Sequence, residues 1–252
     1  MEAKLKELHK NWITSTKSFL SSFFYVLIIA LLVRSFLFEP FHVPSGSMKS
    51  TILEGDYLFT SKYPYGYSKH SFIFSPNIFS GRIFYTPPEQ GDVIVFKPTK
   101  NYSIRFVKRV IGTPGDKVQM MDGELYINDQ KIERRPMEDF LDYESNHNIP
   151  RYIETLSNGK EHEILIDNIS HRLSHNTPAY YVPDDQFFVM GDNRNNSQDS
   201  RFPDIGFVPM ENIIGRVSMI GLSFKLEKVS WLPFNFRVPV AIRLNRILHK
   251  VV

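Results

Sequence analysis

The chain has 252 residues, 42% of them apolar, with 30 basic against 27 acidic side chains and a formal net charge of +3. That length and apolar fraction support a folded core and exclude a wholly disordered chain, and the charge is too mild for a nucleic-acid footprint, so nucleic acid is not an expected partner. With no cysteine in the chain, disulfides, thiolate catalysis and cysteine-held metals are excluded.

The N-terminal region is basic, then apolar. Lys4, Lys6, Lys10 and Lys17 precede Ser18–Val33, an uncharged run that ends at Arg34. As a helix this run spans roughly 24 Å, a little less than the ~30 Å hydrocarbon core of a bilayer. Arg34 is able to snorkel, and Phe36, Leu37 and Phe38 extend the apolar stretch. Residues 18–38 therefore read as one transmembrane anchor, and the positive-inside rule places residues 1–17 in the cytoplasm and the rest outside. A cleaved secretory signal shares the basic and apolar parts, but no small-x-small site follows here, because Arg34 and Ser35 lead straight into bulky residues.

Beyond the anchor, period-two alternation and turn residues dominate. Expected strands are Tyr57–Thr60, Val93–Lys97, Ile104–Ile111, Val118–Met121, Leu125–Asn128, Gln186–Met190 and Ile214–Phe224, with Asp122-Gly123 as a tight hairpin turn. The expected fold is mostly β. An antiparallel β-sheet core over 39–132 and 179–252 is interrupted at 133–178 by a polar insertion, read as a smaller β subdomain. Ser71–Tyr85 carries Phe72, Phe74, Phe79, Phe84 and Tyr85, and the tail combines Trp231, Phe234 and Phe236 with Arg237, Arg243, Arg246 and Lys250. Rings beside basic groups suit a bilayer interface, and equally suit core aromatics with a solvated basic end.

Three segments carry candidate chemistry. In Pro44-Ser45-Gly46-Ser47-Met48, proline and glycine fix a tight backbone that presents the Ser47 hydroxyl and neighbouring N–H groups to one point, the arrangement of a nucleophile beside an oxyanion hole. A serine hydroxyl is inert without a base. In Ser103–Ile111, alternation places Ile104, Phe106, Lys108 and Val110 on one face and Arg105 and Arg109 on the other. Lys108 is then the single charge on an apolar face, and burial lowers an ammonium pKa by as much as ~3–5 units, leaving an amine able to accept the serine proton. The third segment, Gly191–Arg201, is a loop rich in hydrogen-bonding side chains, where Ser197 is placed to hold the lysine amine and Asp199 to pair with Arg201 and brace the loop. Taken singly, each segment has a plain reading as a common Ser-Gly-Ser loop, a lysine snorkelling from a strand edge or a surface turn.

Together the three segments resemble bacterial signal peptidase I, also called leader peptidase. The resemblance lies in Phe38-Glu-Pro-Phe-His-Val-Pro-Ser-Gly-Ser-Met48, Arg105-Phe-Val-Lys-Arg-Val-Ile-Gly-Thr-Pro-Gly-Asp-Lys117 and the Gly191–Arg201 loop, with weaker agreement at Gly206-Phe-Val-Pro209 and Arg243-Leu-Asn-Arg246. It implies a membrane-bound serine endopeptidase on the outer face of the bacterial plasma membrane that removes signal peptides from exported preproteins. It implies a Ser–Lys dyad of Ser47 as nucleophile and Lys108 as general base, an oxyanion hole from Ser45 and the Ser47 amide, and Ser197 as the group orienting Lys108. Val43, Met48, Ile52, Phe106 and Val107 are implied to line shallow pockets for small residues at the first and third positions before the scissile bond. The implied partners are preproteins and the lipid bilayer, with no cofactor and no metal. The chain departs from the family pattern at Lys49-Ser50, where an apolar residue and proline are usual, and at Asn195, where aspartate is common.

Other motifs compete with this reading. Ser157-Asn-Gly-Lys160 has S-x-x-K spacing without the companion S-D-N and K-T-G motifs. His162-Glu163 opens a zinc-protease pattern, yet Ile166 occupies the second histidine position. His171 and His175 have helical spacing without an evident third ligand. His42 is the rival base by sequence proximity, although neighbouring side chains in an extended segment point apart. Two further readings stand beside the main one: an organellar inner-membrane precursor-processing peptidase of the same family, and a membrane-anchored β module that only binds exported chains.

Overall fold

A computed structural model describes residues 2–73, 75–142, 146–167, 175–228 and 237–251; Phe74, His171, Trp231, Phe234 and Phe236 lie outside them. Helix α1 runs from Glu2 to Leu32 without proline or glycine, so it takes in the segment expected as a separate tail. Among the described residues one helix is long and apolar enough to cross a membrane, over Thr14–Leu37, which starts before the expected Ser18. Its last turn, Val33–Leu37, is wound as a π-helix, and Phe38 is already extended at φ −133° and ψ 138°. Pro40 explains the ending, because its missing N–H and its ring bar a helix from continuing. Arg34 does more than snorkel: it donates Nη2 to Glu39 Oε1 at 3.2 Å, tying the helix end to the first strand.

The main sheet contains β1 (Phe38–His42), β2 (Asp56–Ser61), β3 (Val93–Phe96) and β4 (Phe106–Gly112). A small sheet follows from β5 (Lys117–Met121), β6 (Glu124–Ile127) and β7 (Gln130–Lys131). The 133–178 segment supplies β8 (Glu133–Pro136), β9 (Phe140–Asp142), β10 (His147–Ile149), β11 (Arg151–Thr155) and β12 (Glu161–Leu165). The chain closes with β13 (Tyr180–Tyr181), β14 (Gln186–Met190), β15 (Val208–Pro209), β16 (Ile213–Lys228) and β17 (Arg237–Ile242). The eight-stranded sheet has the order β1-β2-β16-β3-β4-β14-β15, with β17 added to β16, and its pairs are antiparallel. The molecule is thus mostly β with one N-terminal apolar helix. Asp122 at φ 51° and Gly123 at φ 77° form the two-residue turn of the β5–β6 hairpin, matching the right-handed twist of its strands.

The polar 133–178 stretch builds a sheet of its own in the order β12-β11-β8, with β9 and β10 as a separate hairpin; β13 returns to pair with β5. The apolar core lies mainly on the two faces of the large sheet. One cluster joins Val43, Met48, Ile52, Val95, Val107 and Val217, and another joins Ile94, Phe96, Val110, Phe187 and Val189.

Two expectations change. β4 starts at Phe106 rather than Ile104, which is 45% exposed, because Asn101 Oδ1 accepts the Ser103 N–H at 3.0 Å and holds the preceding residues in a turn. The basic end of the chain is not merely solvated. Arg246 donates to Asp56 Oδ2 at 2.7 Å and to the Thr51 carbonyl at 2.9 Å, and Arg243 donates to the Glu54 and Phe224 carbonyls at 2.6 and 2.7 Å. These bonds pin the C-terminal stretch beneath the segment that follows Ser47. In the 71–85 stretch, Phe72 packs edge-on against Phe36 of the helix end and Phe79 packs on Phe72, whereas Phe84 is 81% exposed.

Candidate active site

Strand β1 ends at His42, and the chain turns through Pro44 into a tight series of turns. Val43 N–H bonds the Asp56 carbonyl at 3.0 Å, Lys49 N–H bonds that of Gly46 at 3.1 Å, and Ile52 N–H bonds that of Met48 at 2.8 Å. Met48 and Ile52 plug this turn into the core, leaving Ser47 partly exposed above them. The 191–201 loop grips the turn from the other side: Asn193 N–H donates to the Ser47 carbonyl and Asn193 Nδ2 to the Gly46 carbonyl, both at 3.1 Å. The Ser47 hydroxyl therefore stands on a backbone held at both of its own ends.

Lys108 reaches that hydroxyl from β4. Its Nζ lies 2.5 Å from Ser47 Oγ and 5.6 Å from the Phe106 ring centroid, so Phe106 and Lys108 share a face. The residue is 2% exposed, and burial lowers the amine pKa from its ordinary 10.5 to about 8, with the Asp199 and Asp192 charges opposing the fall. Ser45 Oγ lies 3.5 Å from Ser47 Oγ. Ser197 is buried in the same wall, but its Oγ makes no hydrogen bond with Lys108; it faces Asp199 and helps to favour that carboxylate's ionised form. Asp199 accepts Arg201 Nε and Nη2, both at 2.8 Å, and the Gly191 N–H at 3.0 Å. Burial pushes the Asp199 pKa up, and Arg201 more than reverses this, holding it low.

The other face of β4 is not the exposed side of a half-buried strand, since Arg109 is 1% exposed. It donates to both carboxylate oxygens of Asp192 and to the Gly91 carbonyl, while Asp192 also accepts the Thr51 hydroxyl at 2.6 Å. Of the residues expected to line pockets, Val43, Met48, Ile52 and Val107 fall in one apolar cluster beneath Ser47, whereas Phe106 packs against the other cluster and stacks on Phe96. His42 turns away from Ser47 and packs on Tyr57, its cross-strand neighbour, at 5.0 Å between ring centroids.

The competing motifs resolve into structural roles. Lys160 pairs with Glu89 at 2.8 Å, and buried His162 sits 3.4 Å from Glu154. His175 Nε2 is 3.0 Å from Asn195 Nδ2. Asn195 also accepts the Asp167 N–H at 2.9 Å, so its amide serves both contacts. Lys49 forms a 3.0 Å ion pair with Asp142 of β9.

Residues 16–222 match the family described as signal peptidase, peptidase S26. The chain belongs to the signal peptidase family. It is 45% identical over 225 residues to signal peptidase I of Rickettsia typhi, covering 86% of this chain and 83% of that one. Against signal peptidase I of Rickettsia rickettsii it is 42% identical over 248 residues, with 91% of each chain covered. A crystal structure of a signal peptidase I from Enterococcus faecalis is 29% identical and covers 53% of this chain and 98% of its own, at a TM-score of 0.32. As a signal peptidase the chain is a serine endopeptidase that removes signal peptides, and preproteins bearing them are its substrates. Asp192 and Asn193 lie inside the Gly191–Arg201 loop and have no role assigned from the sequence. The available signal was that a Gly-Asp-Asn run directly after a buried strand offers short hydrogen-bonding side chains at a fixed place.

Proposed function

We propose that the chain cleaves preproteins with a Ser47–Lys108 dyad, through an acyl-enzyme, while anchored in the bacterial plasma membrane. The reading rests on one observation, the 2.5 Å approach of a fully buried amine to a serine hydroxyl. Lys108, as a free amine, takes the Ser47 proton while Oγ attacks the carbonyl carbon of the last signal-peptide residue. The Ser45 hydroxyl and the Ser47 N–H donate to the resulting oxyanion. The Lys108 ammonium then protonates the departing nitrogen, which becomes the new N-terminus of the mature protein, and the signal peptide stays esterified to Ser47. A water deprotonated by Lys108 attacks this ester, and Ser47 recovers its proton as the signal peptide leaves. Asp199 and Arg201 brace the loop behind the amine, and Ser197 orients it once its hydroxyl rotates toward Nζ. Val43, Met48, Ile52, Phe106 and Val107 select small side chains at the first and third positions before the cut.

Residues 39–132 and 179–252 form the catalytic domain in this reading, and 133–178 is an insertion into it. The Thr14–Leu37 span crosses the bilayer with the lysine-rich N-terminus in the cytoplasm, which holds Ser47 close to the outer surface where a tethered signal peptide presents its cleavage site. The test is cleavage of a purified preprotein by the full-length protein in detergent. Ser47→Ala and Lys108→Ala are expected to lose roughly 10³-fold or more in kcat, as for a removed member of a catalytic triad, and His42→Ala to stay close to wild type. A Lys108→Ala enzyme that cleaves at the wild-type rate overturns the dyad.

A further inference from the structure

The 133–178 insertion reaches the neighbours of Ser47 by two routes. The first runs from the β9–β10 hairpin: Asp142 holds Lys49, and the Lys49 side chain lies over Gly46, where a Cβ would come within 2.7 Å of Lys49 Cε. Lys49 is two residues from Ser47, and both members of the ion pair are largely buried. The second route runs from the three-stranded sheet to the facing loop. Glu154 of β11 takes Arg194 Nη1 at 2.7 Å within a buried bidentate pair. Leu165 at the end of β12 bonds the loop backbone on both sides, Leu165 N–H to the Asp192 carbonyl at 2.8 Å and Arg194 N–H to the Leu165 carbonyl at 2.9 Å. Between those two bonds stands Asn193, whose backbone and side chain hold the Ser47 and Gly46 carbonyls. The insertion thus reaches the same turn from above, through Lys49, and from behind, through Asn193.

We propose that Lys49 and Asp142 are positioning residues: the insertion is a brace that fixes the Ser47 turn for attack, by the Lys49–Asp142 pair on one side and the Glu154–Arg194 pair on the other. This rests on the reading of Ser47 as nucleophile. The physical basis is the shortness of the turn. Gly46 adds no side chain to stiffen it, and Ser47 must meet both an amine and a substrate carbonyl within a fraction of an ångström. Loss of Asp142 removes one of the contacts that hold the Lys49 side chain over Gly46, so the turn is less firmly fixed. Substrate contacts to the pockets stay in place, so the cost falls on the chemical step and not on binding.

The experiment compares preprotein cleavage by full-length wild type, Asp142→Asn, Lys49→Met, the double variant, Lys49→Arg and Ser47→Ala, each with its thermal midpoint. The expected result is a roughly 10- to 100-fold lower kcat for each of the first two, with KM within about twofold. The double variant is expected to be no slower than the slower single, and Lys49→Arg to keep more than half of wild-type kcat. The proposal is overturned if Asp142→Asn and Lys49→Met keep kcat within twofold of wild type. It is equally overturned if their losses add in the double variant and follow a fall in midpoint or a failure to fold, because the pair then holds the fold and not the turn. An active Ser47→Ala removes the nucleophile reading itself; an inactive Ser47→Ala beside an unimpaired Asp142→Asn removes the brace alone.

Discussion

Arg109 donates Nε and Nη2 to the two carboxylate oxygens of Asp192, at 2.9 and 2.8 Å, one residue along β4 from Lys108. Two consecutive buried cations therefore meet opposite fates. The Arg109 guanidinium has a bidentate carboxylate in place of its lost water. Among the described residues Lys108 has no carboxylate within ion-pair distance, only the fields of Asp199 and Asp192, so burial governs its amine. This division allows one strand to carry a structural cation and a candidate base side by side.

Asp192→Asn is expected to destabilise the protein severely, by about 3–5 kcal/mol, since it leaves the Arg109 guanidinium buried with half of its pairing gone. Denaturant unfolding of the detergent-solubilised protein measures this. A loss under about 1 kcal/mol, the scale of an exposed pair, would show that Arg109 finds water or another acceptor.

The activity should follow the Lys108 amine. With its pKa lowered to about 8, the free-base fraction is on the order of one tenth at pH 7, and kcat/KM is expected to rise as pH climbs through 8 and then level off. The acidic limb of kcat measures the apparent value in the substrate complex. A bound peptide that excludes water moves this limb to lower pH. A kcat/KM limb near 6.5 would instead point to a histidine.

The same amine carries a stability signature. Its folded pKa lies below the unfolded value of 10.5, so between about 8 and 10.5 the unfolded chain binds more protons and stability rises with pH. Below pH 8 the full cost of the buried ammonium is present, roughly 3 kcal/mol for this shift. Lys108→Met, which removes activity, is therefore expected to unfold at a higher temperature than wild type at pH 7. The gain should shrink as pH approaches 10.5. A variant no more stable than wild type at pH 7 would mean that the amine is well solvated.

Features encoded by neighbours along the chain were legible in the sequence. The Asp122-Gly123 turn and the strand Gln186–Met190 follow from local turn chemistry and alternation, as does the placing of Phe106 and Lys108 on one face. Features encoded by distant partners were not. Burial of Arg109 depends on Asp192, 83 positions away, and the inward turn of Arg246 depends on Asp56, 190 positions away. The contact of Lys49 with Asp142 spans 93 positions. Alternation assigns a residue to a face but does not say what covers that face, so a charge met by a far carboxylate reads as a solvated one.

Gly191 lies where the main sheet, the Ser47 turn and the polar loop converge, and its requirement is for space. A Cβ there would collide with the Ser47 carbonyl oxygen and with Ser197 Oγ, one a backbone atom and the other buried. Gly191→Ala is expected to lose about 1–3 kcal/mol of stability through overpacking. Its larger effect should be on kcat, by on the order of 100-fold if the Ser47 backbone shifts by 1 Å. Adding Gly191→Ala to Ser197→Gly leaves only the collision with the carbonyl, so against Ser197→Gly alone the double variant should lose little stability and still lose activity. Thermal midpoints and kcat, measured together on both single variants and the double, separate the two effects. A double variant with the kcat of Ser197→Gly alone would show that the Ser197 side chain, and not the Ser47 backbone, sets the limit.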